Sequence, residues 1–396
     1  MFSRCYATIS DLILDLTGVD VPLPVFSYGF FVALGFLAAA YILSLELRRK
    51  EKQGLLKPYK KTVIIGNPAS PAEIGLNALL GFLLGFKLIY VALNYTEFAV
   101  NPQRVLLSAQ GSWAGGVVGA FLLGYLKFYE KNKNKLPQPK KETVEVYPHE
   151  TVGDLTIVAA VSGIVGAKLF YLFESPGNLS DFLADPLGSF FGGLTVYGGL
   201  ILGTICVSYY AWKRGMNPVH IADGAAPGLF LAYSFGRMGC QVAGDGDWGI
   251  VNTLSKPHWL GWLPDRLWSF TYPHNIINEG VRIPGCAEAH CYVLPHGVFP
   301  TPIYESTITL ILFFLLWAVR KRITTPGLMI SCYFILAGLE RFFIEKIRVN
   351  TPLNFFGMEM TQAEFISILY IMAGGAGIIY FIRRAKRQSS LTTGNP

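Results

Sequence analysis

Apolar residues along this chain come in repeated long blocks separated by polar and basic segments. Nine blocks stand out, at about 26–46, 73–94, 112–128, 153–173, 193–212, 225–243, 303–320, 327–346 and 362–382. Each runs to roughly 17–22 residues, enough for a helix to cross the ~30 Å hydrocarbon core of a bilayer. The pattern predicts an all-α fold: a polytopic transmembrane helical bundle of about nine spans.

Basic residues fall between the blocks in an uneven way. They cluster at Arg48-Arg49-Lys50 through Lys60-Lys61, Lys127 through Lys141, Lys213-Arg214, Arg320-Lys321-Arg322, and Arg383-Arg384 through Arg387. The positive-inside rule puts these segments in the cytoplasm, within reach of anionic lipid headgroups. The N-terminus is then outside and the C-terminus inside, with outward segments at about 95–111, 174–192, 244–302 and 347–361. The same placement accounts for the net charge of +7 without nucleic acid as a partner. Composition agrees: of 396 residues, 52% are hydrophobic and only 15% charged, against about 25% charged in soluble domains. Mean hydropathy is +0.40. Met1 to Pro24 lacks a basic stretch followed by an apolar one, so no cleaved signal peptide is expected.

The chain reads as a single membrane-embedded domain over 1–396, with two features inside it. One is a parallel repeat of helix pairs, 73–128 and 153–212. Gly85-Phe86-Lys87-Leu88-Ile89-Tyr90 resembles Gly166-Ala167-Lys168-Leu169-Phe170-Tyr171, and each copy later meets a double glycine, Gly115-Gly116 or Gly198-Gly199. The residue before the double glycine is Ala114 in one copy and Tyr197 in the other. The second feature is the aromatic and proline-rich outer segment 250–298, with Trp259, Trp262, Trp268, Phe270 and Tyr272. It reads either as an interfacial lid, where tryptophan is favoured, or as an ordered external loop. Cys286 and Cys291 share this segment and can pair in an oxidising compartment. His290 and His296 raise a metal site as the rival, although the spacing fits no standard zinc pattern.

Four places set polar groups where a bilayer disfavours them. Tyr28-Gly29 opens the first span; alone it reads as an aromatic-belt tyrosine. Gly192-Gly193-Leu194-Thr195-Val196-Tyr197-Gly198-Gly199 offers either plain small-residue helix packing or room for a substrate beside a phenol. Gly236-Arg237-Met238-Gly239-Cys240, running on to Asp245, Asp247, Trp248 and Gly249, puts an arginine and two acids at the end of an apolar helix. A charge at bilayer depth costs about 2.5–3.5 kcal/mol on insertion scales, so its reading is functional unless the side chain snorkels. The fourth is Glu340-Arg341 with Glu345 and Arg348. At 100° per residue Arg341, Glu345 and Arg348 share a face within roughly 60°, beside either a wet cavity or a structural salt-bridge network. Tyr304-Glu305 adds an acid at the same level. Arginine presents a planar fork of donors suited to phosphate, so the residues together describe a phosphate-holding cavity near the outer leaflet.

These motifs resemble the bacterial phosphatidylglycerol–prolipoprotein diacylglyceryl transferases over most of the chain. The matching blocks are Tyr28-Gly29, Gly192-Gly193 through Gly198-Gly199, Asp223 with Gly236-Arg237-Met238-Gly239, Pro300 with Tyr304-Glu305, and Arg341, Glu345 and Arg348. The resemblance implies transfer of a diacylglyceryl group from phosphatidylglycerol to the lipobox cysteine thiol of a prolipoprotein signal peptide. A thioether forms and glycerol 1-phosphate leaves, with no metal or organic cofactor. It implies a multi-pass enzyme of the bacterial inner membrane, its site toward the outer leaflet and among membrane lipids; one cavity in one bundle suffices for a monomer. Arg237 and Arg341 would hold the phosphate, Glu345 would position Arg341 or Arg348, and Asp245 would stand where the family has a glutamate. Tyr28, Gly198, Gly199, Tyr304, Glu305 and Arg348 would line the substrate.

The departures are chemical. The family carries histidine where this chain has Tyr197, and asparagine where it has Cys240; the stretch to Trp248-Gly249 is one residue longer. Histidine is a base near neutral pH, whereas an unperturbed phenol ionises near pH 10. Tyr197 therefore either orients substrate or acts with a lowered pKa, and Asp245 or Glu305 becomes a candidate acceptor for the thiol proton. Two rival readings stay open at this point: a lapsed homologue that only binds the lipid or the precursor, and a lipid or solute transporter.

Overall fold

Each apolar block lies largely within one helix of the computed structural model, which describes residues 3–19, 21, 25–100, 105–106, 108–184, 186, 193–350, 353–355 and 358–393. In chain order the helices are α1 (Ile9–Thr17), α2 (Ser27–Lys52), α3 (Pro71–Leu93), α4 (Tyr95–Val100), α5 (Trp113–Lys133), α6 (Val152–Glu174), α7 (Pro176–Ala184), α8 (Val196–Lys213), α9 (Pro218–Ala243), α10 (Thr301–Val319), α11 (Leu328–Glu345) and α12 (Gln362–Thr393). Their starts are written locally. Ser70 and Glu73 form a capping box ahead of α3, with Pro71 in the first turn. Asn217 caps α9, again with proline behind it, which starts that helix seven residues before the apolar block and brings Asp223 inside it.

Among the described residues, five helical segments are long and apolar enough to cross a membrane: Ser27–Lys52, Pro71–Leu93, Pro148–Glu174, Thr301–Val319 and Gln362–Gln388. Outward-facing side chains fit such a solvent. Leu76, Leu80, Leu83 and Leu88 all point away from their own unit on α3, a surface that water would penalise and lipid does not. The chain is a helical membrane protein.

The expectation of purely α structure needs one correction. Two of the basic segments contain strands, β1 (Tyr59–Ile65) and β2 (Lys140–Val146), paired antiparallel from Tyr59↔Val146 to Ile65↔Lys140. Both are rich in β-branched residues, and Lys60 faces Glu145 directly across the ribbon. Shorter ribbons join β3 (Val281–Arg282) to β4 (Tyr292–Val293), and β5 (Leu353–Phe355) to β6 (Met358–Met360).

The chain divides into two compact units with boundaries inside α6 and α8. The second unit, Pro58–Tyr147 with Ile157–Val207, holds both glycine-bearing helix pairs. Backbones approach so closely that a Cβ on Gly85 would strike the Gly115 carbonyl, and one on Gly166 the Gly198 carbonyl. The sequence-matched positions also share a hydrogen bond: Ser112 N–H donates to Phe86 O (2.9 Å), and Thr195 N–H to Ala167 O (3.1 Å).

The first unit, Met1–Lys57, Pro148–Thr156 and Ser208–Pro396, is built on α9. It packs against α2, α10 and α11, while α12 lies on α11. Ile42, Ala226, Phe230, Phe313, Leu316 and Met329 form the core between them. At the α9 end of this unit, segment 250–298 folds into an ordered lobe. Cys5, Trp248, Phe270, Tyr272, Leu294 and Val298 are its core, and the N-terminal strap enters it through Cys5 N–H to Pro273 O (2.7 Å). Cys286 and Cys291 are disulfide-bonded, Cα–Cα 5.7 Å. The metal alternative for this segment thereby loses its sulfur ligands.

Contact between α2 and α9 rests on missing side chains. A Cβ on Gly228 would lie 3.1 Å from Ala39 O, and one on Gly35 3.0 Å from Ala232 O. Gly228→Leu should therefore destabilise the first unit by about 1–3 kcal/mol through overpacking. Thermal unfolding in detergent measures it, and an unchanged midpoint would show that the helices separate at no cost.

Candidate functional site

Three arginines and three carboxylates converge where α9 and α11 end and α10 begins. Glu305, one turn into α10, is fully buried. Its Oε1 takes Arg341 Nη1 at 2.9 Å and Arg348 Nη1 at 3.3 Å, and its Oε2 pairs with Arg237 Nε. Asp247 closes the ring by pairing with Arg237 Nη1 and, at 2.5 Å, with Arg348 Nη2. Glu345 pairs with Arg341 one turn earlier (2.9 Å) and accepts from Asn350 Nδ2 (2.5 Å). The ring of Tyr233 lies 5.2 Å from the Arg237 guanidinium, a cation–π contact one turn along α9.

Chain reversal after α9 makes this ring possible. Gly244 (φ 65°) and Gly246 (φ 97°) take left-handed backbone, which turns Asp247 back over the helix end. The returning strand is then stitched in place: Thr301 Oγ1 donates to Asp247 O (2.8 Å), Gly249 N–H to Phe299 O (2.8 Å), and Ile250 N–H to Ile347 O (2.9 Å). The same strap therefore ties the exit of α9 to the entry of α10 and the exit of α11.

Of the residues singled out by sequence, Arg237, Glu305, Arg341, Glu345 and Arg348 meet in one network. Asp245 does not join those ion pairs. It lies with Cys240 and Asp247, ligand-type atoms within 4.8 Å of one another, and accepts the Asp247 N–H at 3.3 Å. The bridging carboxylate is Asp247; in sequence both acids fit the role of orienting Arg237 until the glycine turn is known. The Cys240 thiol lies 3.6 Å from Asp247 Oδ2 and 4.0 Å from Arg237 Nη1. Tyr233 carries no motif that marks it.

Tyr28 stands near the site through its backbone, which packs on Gly239. Tyr304 turns to the lobe and donates to Leu267 O (2.7 Å). Tyr197, Gly198 and Gly199 belong to the second unit. There Gly198 and Gly199 are spent on close packing against α6, so they do not open space beside the phenol. Gly192 of the same motif lies outside the described residues.

Electrostatics separates the two aspartates beyond the end of α9. Burial raises the Asp245 carboxyl, and the Asp247 charge raises it further. Burial also works against the charge of Asp247, but Arg237 and Arg348 outweigh it and hold that carboxyl below its ordinary value. Cys240, Asp245 and Asp247 are metal-ligand types, yet both oxygens of Asp247 already face guanidiniums whose charge opposes a bound cation.

Fold and site define a helical membrane protein with a buried ring of three arginines and three carboxylates. The profile of the prolipoprotein diacylglyceryl transferase family matches residues 136–380, a stretch that contains the whole ring. The chain belongs to that family. It is 28% identical over 278 residues to the phosphatidylglycerol–prolipoprotein diacylglyceryl transferase of Streptococcus equi subsp. zooepidemicus, covering 70% of this chain and 90% of the relative. The Streptococcus uberis protein of the same name is 27% identical over 300 residues, 75% and 96% of the two chains. Phosphatidylglycerol–prolipoprotein diacylglyceryl transferase 2 of Clostridium perfringens is 30% identical over 253 residues, 62% and 84%.

A depressed carboxyl stabilises the folded state when ionised. The contribution of Asp247 is complete above its unfolded pKa, near 4, and is lost as pH falls through the lower folded value. Asp247→Asn should cost about 1.5–3 kcal/mol at pH 7 and progressively less below pH 4. Thermal unfolding of both proteins from pH 7 to pH 3 tests this; a difference that does not change with pH would remove the charge from the explanation.

Proposed function

We propose that the chain transfers the diacylglyceryl group of phosphatidylglycerol to the lipobox cysteine thiol of prolipoproteins. The observation that carries this reading is the three-arginine ring inside the stretch matched by the family profile. In the reaction a carbon–sulfur bond forms at the terminal glyceryl carbon of the diacylglycerol while the bond from that carbon to the phosphate oxygen breaks. The electron pair leaves on glycerol 1-phosphate, and the thiol proton passes to a base. Arg237 and Arg341 hold the phosphate and offset the charge that develops on it, as fixed cations do in a water-poor site. Arg348 adds a third donor fork; Glu305, Asp247 and Glu345 fix the forks in place.

Asp245 is the base this site favours. Burial and its neighbour Asp247 raise its carboxyl, which moves it toward the pH at which a base works well, and it stands beside the Cys240 thiol. Glu305, by contrast, spends its oxygens on three arginines. Tyr197 orients substrate; Tyr28 and Tyr304 border the entry, Tyr28 with its ring exposed and Tyr304 bonded to the lobe. The substrates are phosphatidylglycerol and the signal peptide of a prolipoprotein.

The setting belongs to the same proposal. Nine spans, an outside N-terminus and an inside C-terminus put the ring toward the outer leaflet of a bacterial inner membrane, with the basic clusters on the cytoplasmic side. The protein acts as a monomer in one membrane-embedded domain, with 250–298 as an outer insertion. The pairs 73–128 and 153–212 descend from one duplicated hairpin; their matched glycine contacts and matched backbone hydrogen bonds support this.

Purified protein, phosphatidylglycerol and a peptide with one lipobox cysteine should yield a diacylglyceryl mass addition by mass spectrometry. Arg237→Ala should slow it about 10²–10³-fold; an equal rate would exclude Arg237 from the chemistry. Tyr197→Phe should lower the rate about tenfold, through one lost hydrogen bond, and full activity would remove Tyr197 from the site.

A further inference from the structure

The helix ends remote from the arginine ring build a second charged site within the first unit. Arg49 and Lys50 from the last turns of α2, His220 from the first turn of α9, and Arg320 just past α10 line a cavity of about 200 Å³. Along α9, Asp223 at this site and Arg237 in the ring are fourteen residues apart, roughly 21 Å at 1.5 Å per residue. The two sites are therefore separate.

The carboxylates here are already committed. Glu46, 2% exposed, accepts Arg49 Nη2 at 2.7 Å and Arg320 Nε at 2.8 Å. It thereby holds two guanidinium forks side by side on one wall. Asp223 caps the start of α11: Oδ2 accepts Gly327 N–H (2.7 Å) and Oδ1 accepts Ile330 N–H (3.0 Å). Lys50 is buried at 6% exposure, yet its nearest carboxylate oxygen, on Asp223, is 3.8 Å away. That is an ion pair without a hydrogen bond. His220 Nδ1 is likewise buried with no hydrogen-bond partner. Three cations thus face two anions, so the wall carries one net positive charge, and the positive end of the α9 dipole adds to it.

A buried ammonium short of acceptors, beside two guanidiniums that share a single carboxylate, asks for a ligand rich in acceptor oxygens. We propose that this cavity binds a phosphate group, independent of the arginine ring and taking no part in diacylglyceryl transfer. Leu55, Ile323 and Met329 give it an apolar flank. The phosphate comes either on an anionic lipid or free in solution.

Thermal unfolding of the full chain in maltoside micelles, which carry no phosphate, tests the site. One arm adds inorganic phosphate to the buffer; the other adds phosphatidylglycerol to the micelles. Each arm is run on the parent, Arg237→Ala, Arg49→Gln and Gln53→Glu. The midpoint should rise in the parent and still rise in Arg237→Ala, which loses only the share that ligand at the ring contributes. Gln53→Glu sets a carboxylate at the exposed rim, next to Arg49 (3.1 Å from Gln53 Oε1), and should shift the dose dependence about tenfold weaker. It decides the question if Arg49→Gln fails to fold. A rise with inorganic phosphate assigns a free phosphate, and a rise with lipid alone assigns a headgroup. No rise in either arm, a rise abolished by Arg237→Ala, or an unshifted Gln53→Glu would each overturn the proposal.

Discussion

Glu305 is the carboxylate on which the first unit turns. It is wholly buried, yet three guanidiniums reach it, one from the end of α9 and two from the end of α11 and the turn after it. In a low-dielectric interior such a group is tolerable only when paired, and stripping a partner from a buried pair typically costs about 3–5 kcal/mol. The registers of α9, α10 and α11 are thus locked to one another at this point. The strap from Asp247 to Ile250 depends on it in turn, because Asp247 is held by two of the same arginines.

The second unit is organised by the opposite means. Its helices meet through absent side chains: glycines let α3 approach α5, and α6 approach α8, backbone to backbone. Lipid offers no hydrophobic drive for helices to associate, so close dispersion contact along small residues supplies it. A charged ring in one unit and bare backbone in the other are two solutions to the same difficulty.

Much of this was legible before the fold. Long apolar blocks gave the helices, because hydropathy over twenty residues is a strong signal. Arg341 and Glu345 could be placed on one face from helical spacing alone, whereas Arg348 reaches the same site from a bridge to Gly249 beyond the helix end. What failed was local and conformational. Asp245 and Asp247 are indistinguishable in one dimension; only the left-handed turn through Gly244 and Gly246 selects Asp247 for the ring. Gly198 and Gly199 read as packing or as space, and both pack: Gly166 and Phe170 stand against Gly198, Gly163 and Ala167 against Gly199. The ribbon of β1 and β2 hid inside segments read only for their charge, although Lys60 opposite Glu145 and the β-branched runs were there to see. Tyr233 could not have been found, since an aromatic in an apolar helix carries no mark of the arginine it supports.

The ring also bears on how the protein is made. Its three positive and three negative charges come from the end of α9, the turn after it, the start of α10 and the end of α11. Whereas α11 arrives with Arg341 already facing Glu345, neither α9 nor α10 brings a neutral set to the ring: α9 carries Arg237 alone and α10 Glu305 alone. A segment released singly into lipid would hold its charge unpaired, at about 2.5–3.5 kcal/mol for each charge at the bilayer centre. Handing these helices to the bilayer one at a time is therefore uphill. They are better kept together by the insertion machinery until the acid of the later helix meets the arginine of the earlier one, which couples membrane entry to tertiary assembly.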